Sequence, residues 1–289
     1  MKIIDDLKLQ YRMGGMANKL IYWNVAVFLL CIPFFYSFSN GGFEYPIWLS
    51  LSSNAKWFLP FLWTFLTYGF LHGGFFHLFF NMIILNFSSR LFLTYFNDKQ
   101  YLGLYLLSII FAGICFVISY NLLNFESNIV GASGAVMAIL VAATTYQPLT
   151  QLRLFLIGNV KLWQVTGVLV LLDAMQIFTD NTGGHIAHLG GSLFGFTYIK
   201  LLENGTDLST FVTKLIDFFT NLFKPSKKTP FKKVHVNYNK KPNTNATESK
   251  IVLKDKSQQQ IDDILDKISK SGYDSLSQQE KDFLFKAGK

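Results

Sequence analysis

Long apolar segments alternate with short polar ones along the first 203 residues of the chain. A membrane-spanning helix needs about 20 consecutive, predominantly apolar residues. The segment 39–70 is rich in Trp, Phe and Pro but also contains charged and polar residues, so we predict an interfacial loop with short helical pieces there. The remaining pattern predicts six transmembrane helices, at residues 20–38, 73–95, 101–120, 133–149, 161–179 and 184–202.

The chain beyond residue 203 has a different pattern. Apolar residues recur at helical spacing in 204–224, which predicts an amphipathic helix lying in the membrane interface. Residues 225–257 are rich in Lys, Asn, Thr, Ser and Pro, which is typical of a flexible linker. Residues 258–289 show two short helical patterns around Gly272 and predict a cytosolic helical hairpin. Because so small a hairpin buries little core, we expect it to dock on a partner.

Composition supports a membrane protein. The 289 residues are 51% hydrophobic and only 15% charged, below the ~25% charged residues usual in soluble domains. These values exclude a disordered chain, a collagen and a disulfide scaffold. Both cysteines, Cys31 and Cys115, lie in apolar runs, where packing is the expected role.

Charge predicts the orientation in the membrane. Residues 204–289 carry 16 basic and 10 acidic side chains, and basic residues also precede the first span and flank the turns after spans two and four. Since basic residues favour the cytoplasmic side, both the N-terminal segment 1–19 and the tail are predicted to be cytoplasmic. The Phe-, Asn-, Lys- and Ile-rich composition favours a bacterium, hence the bacterial cytoplasmic membrane. Membrane lipid is an expected partner. Nucleic acid is not, because no basic-aromatic module is present.

In three of the predicted spans, the polar groups concentrate towards one end of the span. Such groups are costly inside a membrane and often functional. Ser133 lies between Gly131 and Gly134 at the start of the fourth span. An exposed hydroxyl beside free backbone N–H groups suits a nucleophile with part of an oxyanion hole. The same residues also fit a helix N-cap followed by small packing residues.

The sixth span begins with two histidines, His185 and His188. No carboxylate or cysteine follows them at ligand spacing, so we predict no metal and no cofactor. Gly191 continues the helix face of His188, and a matching stripe of small residues begins at Gly134. Small stripes let two membrane helices approach closely. We therefore expect His188 to lie near Ser133, where it can act as a base.

Spans two and five contribute further candidates. His77 and Asn81 are four residues apart and share a helix face, so their N–H groups could stabilise an oxyanion or form a structural network. His72 lies at the mouth of span two, and we expect a structural role for it. Asp173 in span five could orient His188 and complete a triad, but we expect it to cap a helix or bind a loop instead.

Together, three segments resemble the rhomboid family of intramembrane serine proteases over roughly residues 57–200. They are residues 63–82 with the spacing His-x4-His-x3-Asn, residues 131–136 with Gly-x-Ser-Gly, and residues 187–191 with Ala-His-Leu-Gly-Gly. The resemblance implies an all-α, six-transmembrane-helix rhomboid-like bundle over 20–203 with a long first loop. It also implies cleavage of single-pass or other transmembrane proteins near the outer interface.

The resemblance also assigns roles to individual residues. It implies a Ser133–His188 catalytic dyad and an oxyanion site made by His77, Asn81 and the Ser133 N–H. His72 would support the first loop, and span five would be a lateral gate for the substrate. Gly131, Gly134, Met137 and Gly191 would support the site.

Two departures from the family pattern are visible. Met137 stands four residues after the serine, where many members carry an aromatic residue that stacks on the catalytic ring. Segment 39–70 contains no Arg, so the Trp-Arg pair common in that loop is missing. One alternative is a catalytically inactive rhomboid-like protein that binds membrane clients. The other is a small transporter, although residues 20–110 and 111–203 show no internal repeat.

Overall fold

The computed structural model describes residues 3–154, 158–179, 181–222 and 248–287. The chain divides into two compact units, Met1–Pro225 and Ser226–Lys289. The described part of the first unit contains helices α1 (Ile3–Met13), α2 (Gly15–Phe35), α3 (Ala55–Phe58), α4 (Thr64–Thr67), α5 (Phe75–Leu93), α6 (Asp98–Leu123), α7 (Ser133–Tyr146), α8 (Leu162–Gln176), α9 (Thr182–Glu203) and α10 (Ser209–Leu222).

Each predicted span overlaps one helix, in order α2, α5, α6, α7, α8 and α9. The largest difference is in the first, which was expected at 20–38. Helix α2 begins at Gly15, directly after the break at Gly14, and ends at Phe35, where the chain enters a β-hairpin. Among the described residues, α2, α5 and α6 are long and apolar enough to cross a membrane. Helices α7 and α8 are apolar but shorter.

Short antiparallel strand pairs, which the sequence pattern did not predict, join the helices. They are β1 (Tyr36–Ser37) with β2 (Gly42–Phe43), β3 (Leu51–Ser52) with β4 (Asn128–Ile129), and β5 (Gln151–Leu154) with β6 (Gly158–Lys161). The first loop, 39–70, contains the short helices α3 and α4 that were expected there, as well as the unexpected strands.

The pairing of β3 with β4 anchors the first loop. Leu51 pairs with Ile129, and the Ser53 N–H donates to the Ser127 carbonyl at 2.9 Å. In addition, the Asn121 side-chain amide donates to the Ser53 carbonyl at 2.8 Å. These bonds explain how the loop is held without the Trp-Arg pair. They also tie it to the segment that leads directly into Ser133.

Helix α7 lies at the centre of the first unit. It contacts α5, α6, α8 and α9, and it is buried on all sides over residues 134–140. A helix surrounded by others must be apolar all round, as α7 is. Its contact with α9 is especially close, because a Cβ added at Gly195 would overlap the backbone carbonyl oxygen of Ala138.

Helix α10 packs against α6 at its first turn. Ser209 and Val212 are buried, and Ser209 lies against Gly103 of α6. Asp207 holds this turn by accepting hydrogen bonds from the Ser209 N–H at 2.8 Å and the Gln100 amide at 3.2 Å. Burial alone would raise the pKa of Asp207, but the hydrogen bonds outweigh it, and the pKa lies below its ordinary value.

The second unit contains α11 (Glu248–Ser271) and α12 (Gln278–Ala287). A linker was predicted at 225–257, and its residues 225–247 lie outside the described residues. Its last residues belong instead to α11, because 248–257 contains neither Gly nor Pro to stop a helix. The Lys267 ammonium binds the Glu280 carboxylate at 2.9 Å and so joins the two helices.

Candidate active site

Ser133 is the first residue of α7, and the turn before it is rigidly held. Gly131 has a φ of +143°, a conformation that favours glycine. Its N–H donates to the Tyr68 carbonyl at 2.9 Å, and the Tyr68 hydroxyl in turn donates to the Ile109 carbonyl at 2.7 Å. The turn that presents Ser133 is therefore fixed to α6 through one buried tyrosine.

Close packing of α7 on α9 brings the serine and histidine segments together. A Cβ at Gly191 would overlap the Gly134 carbonyl oxygen, and a Cβ at Gly134 would lie 3.1 Å from the Ala187 carbonyl oxygen. Gly134 follows Ser133, and Ala187 precedes His188. The two candidate residues therefore lie beside the points where the two helices touch, as the small-residue stripes predicted.

Asp173 of α8 contacts both histidines of α9. Its Oδ1 atom lies 2.8 Å from Nδ1 of His188 and 2.8 Å from Nδ1 of His185. The expectation that Asp173 caps a helix or binds a loop is therefore wrong. An ionised carboxylate only accepts hydrogen bonds, so in the neutral His188 ring Nδ1 carries the proton and Nε2 has the free lone pair.

This arrangement also corrects the expectation that no carboxylate lies near the two histidines. The three ligand atoms of Asp173, His185 and His188 lie within 4.8 Å of one another. Residue spacing along α9 alone does not indicate this carboxylate, because Asp173 comes from the neighbouring helix α8. The one signal in the sequence was that Asp173 is the only acid inside its predicted span.

His77 is oriented by the start of its own helix. The Gly73 N–H donates to Nδ1 of His77 at 3.2 Å, so in the neutral ring the proton is on Nε2. This nitrogen faces the serine turn, because a Cβ at Gly131 would lie 3.1 Å from Nε2 of His77 and 3.4 Å from Oγ of Ser133. An N–H donor thus points to the region beside the hydroxyl.

Asn81 lies one turn further along α5 and is buried. One hydrogen of its side-chain amide donates to the His77 carbonyl at 2.8 Å, which fixes the side chain against the helix. A primary amide has a second N–H, and this donor remains for a group bound beside it.

These residues line one cavity of about 580 Å³. Its walls are formed by Gly73, Phe76, His77, Phe80, Asn81, Ile84, Asn128, Ile129, Val130, Ser133, Asn181, Gly184 and His188. Four of the residues singled out from the sequence thus share it, and strand β4 adds a wall that the sequence pattern did not indicate. The cavity brings together a hydroxyl, an imidazole and the N–H groups of His77 and Asn81, which are the groups that acyl transfer requires.

His72 lies apart from this cavity and is fully buried. Its backbone carbonyl accepts a hydrogen bond from the Tyr45 hydroxyl at 2.9 Å, which ties the first loop to the start of α5. Burial, and to a smaller extent the nearby His77, lower the pKa of His72 to about 3, so its ring is neutral at pH 7.

Met137 is buried one turn after Ser133. It belongs to a small hydrophobic cluster with Leu140 and Leu162. The side chain therefore contributes to the contact between α7 and the start of α8.

Comparison with known proteins gives a family. A model of the Rhomboid domain matches residues 60–204, about half of the chain. The chain belongs to the rhomboid family, and the resemblance seen in its motifs is confirmed. Residues 252–286 match a second model, described as a family of unknown function (DUF6576). A search of curated proteins gives no match.

Proposed function

We propose that this protein is an intramembrane serine endopeptidase in which Ser133 is the nucleophile and His188 is the general base. The observation that carries the proposal is the shared cavity, in which Ser133 and His188 lie together with the N–H donors of His77 and Asn81. Family membership supports the reaction class.

The geometry suggests a sequence of proton movements. The Asp173 carboxylate holds the proton of His188 on Nδ1, which leaves the lone pair of Nε2 free. Nε2 takes the proton of the Ser133 hydroxyl as Oγ attacks the scissile carbonyl carbon. The resulting imidazolium then gives that proton to the leaving amine. Water then hydrolyses the acyl-enzyme: His188 takes a proton from the attacking water and returns it to Oγ of Ser133 as the acyl bond breaks.

The negative charge on the tetrahedral intermediate needs donors that are already in place. We assign this role to Nε2–H of His77, the free amide N–H of Asn81 and the backbone N–H of Ser133. The hydrogen bond from Gly73 to His77 supports the assignment because it keeps the His77 proton on the side of the serine. Preorganised donors of this kind are often the largest contribution to catalysis.

We further propose that α2, α5, α6, α7, α8 and α9 are the six membrane spans, with both termini in the cytoplasm of a bacterium. Substrates would be transmembrane segments cut near the outer interface. Helix α8 suits the lateral gate, since only Leu162, Thr166 and Asp173 of its residues are buried. A weakly packed helix moves at lower cost than the fully buried α7.

The parts outside the bundle would have supporting roles. In α10, Phe211, Phe218 and Phe219 are more than half exposed, which suits contact with membrane lipid. The second unit would dock on a partner, and in it Phe285 is largely exposed. Among the described residues of α10, none lines the cavity that contains Ser133.

A serine-reactive fluorophosphonate probe tests the proposal directly. Full-length protein in detergent would be labelled beside Ser133→Ala, His188→Ala and, as a matched control on α9, Ser192→Ala. We expect labelling of the wild type and of Ser192→Ala, and its loss in both active-site variants. Absence of labelling in all four folded proteins would instead support the inactive rhomboid-like protein that binds membrane clients.

A further inference from the structure

We propose that Asp173, His185 and His188 form a zinc-binding site whose occupation switches the protease off. This inference rests on the proposed function, because His188 is shared between the zinc site and catalysis. It adds a role for His185, which the proposed reaction does not use.

The three side chains already converge. Oδ1 of Asp173 lies 2.8 Å from both Nδ1 atoms, and all three ligand atoms lie within 4.8 Å of one another. The His185 and His188 rings stand edge-on to each other, with their centroids 5.9 Å apart. Zinc sits about 2.0–2.2 Å from imidazole nitrogen and carboxylate oxygen, so small side-chain movements suffice to enclose an ion.

The donor set selects the ion. Two imidazoles and one carboxylate are the ligands of many three-residue zinc sites, which keep a fourth position for water. Magnesium and calcium prefer oxygen ligands and match this set poorly. The side chains are 12–22% exposed, so the site is partly buried but still open to an ion from solution.

Zinc at this site removes the base by changing the tautomer of His188. The neutral ring carries one proton, which lies on Nδ1 when Asp173 accepts it. Zinc bonds through the lone pair of Nδ1, so the single proton of the neutral ring must move to Nε2. Nε2 then donates a hydrogen bond and accepts no proton from Ser133. Inhibition is therefore reversible when a chelator removes the ion.

Zinc titration of full-length protein in detergent tests this inference. Cleavage of a model transmembrane substrate and fluorophosphonate labelling would be measured at buffered free zinc, and each variant's rates normalised to its own zinc-free rate. We expect His185→Ala to need at least about tenfold more zinc for half-inhibition because it lacks one of the three ligands, and a tenfold change corresponds to about 1.4 kcal/mol of binding free energy. His235→Ala, a histidine outside the described residues, is the control and should match the wild type. Equal sensitivity of His185→Ala and wild type would overturn the site.

Equilibrium dialysis with zinc alone separates this inference from the proposed function. The Ser133→Ala protein keeps all three ligands, and we expect it to bind a single zinc ion that Asp173→Ala and His185→Ala lose. If binding depends on His185 but the wild type never cleaves or labels, the site stands and the proposed function fails. If the wild type is active and no binding depends on His185, the site fails. Loss of activity on adding a chelator would also overturn the inhibitory role.

Discussion

The backbone carbonyl of Gly134 on α7 lies where a Cβ atom of Gly191 on α9 would stand. The two helices thus touch through their backbones, and no side chain separates them at this level. Ser133 and His188 lie immediately beside this contact. The absence of one methyl group therefore sets how closely the proposed nucleophile and base approach each other.

Replacing Gly191 by Ala should destabilise the protein and slow the reaction. The added methyl forces α7 and α9 apart, and overpacking of this kind costs about 1–3 kcal/mol. We expect a lower midpoint of thermal unfolding in detergent and slower fluorophosphonate labelling. Gly167→Ala on α8 is the matched control, because a Cβ there meets nothing within 4 Å. Equal midpoints of thermal unfolding for the two variants would show that the contact between Gly134 and Gly191 contributes little to stability.

Replacing Asp173 by Asn should reduce kcat far more than it changes KM. An amide N–H turned towards His188 favours the tautomer with its proton on Nε2, which cannot accept the serine proton. In a serine protease triad the same change costs about 10⁴ in kcat, and we expect a loss on the order of 10² or more here. Steady-state kinetics on a model transmembrane substrate would measure it. A variant with wild-type kcat would show that the dyad works without this carboxylate.

Replacing His77 by Ala should remove one donor to the tetrahedral intermediate. Loss of such a donor typically lowers kcat by about 10²–10³. Single-turnover cleavage would measure the chemical step separately from substrate entry. Phe76→Ala is the control, since Phe76 lines the same cavity without offering a donor. If both variants slow the step equally, His77 acts through cavity shape and not as a donor.

Removing residues 226–289 should leave cleavage of a simple model substrate intact. The chain divides at this point into two compact units, and separate units generally fold independently. We expect the truncated protein to label with fluorophosphonate and to cleave at a rate within about twofold of the full chain. If the truncated protein folds but is inactive, residues 226–289 are required for catalysis.

The pattern of hydrophobic runs was sufficient to locate the main helices. Each of the six predicted segments overlaps a helix, and Ser133 begins α7 as its glycine-flanked position indicated. These features are local. Inside a membrane an apolar run forms a helix, because every backbone N–H and C=O group must find its hydrogen-bond partner within the segment. The stripes of small residues likewise predicted the contact of α7 with α9, since glycine spacing along each helix marks the face that packs closely.

Only the tertiary structure revealed how distant segments combine. The β3–β4 pairing joins residues 51–52 to 128–129, and no local pattern specifies the partner of so short a strand. Similarly, the sequence identified Asp173 and His188 but not their 2.8 Å contact. That contact depends on how α8 is rotated towards α9. Helix rotation is decided by the packing of the whole bundle, whereas periodicity along one helix defines only which residues share a face.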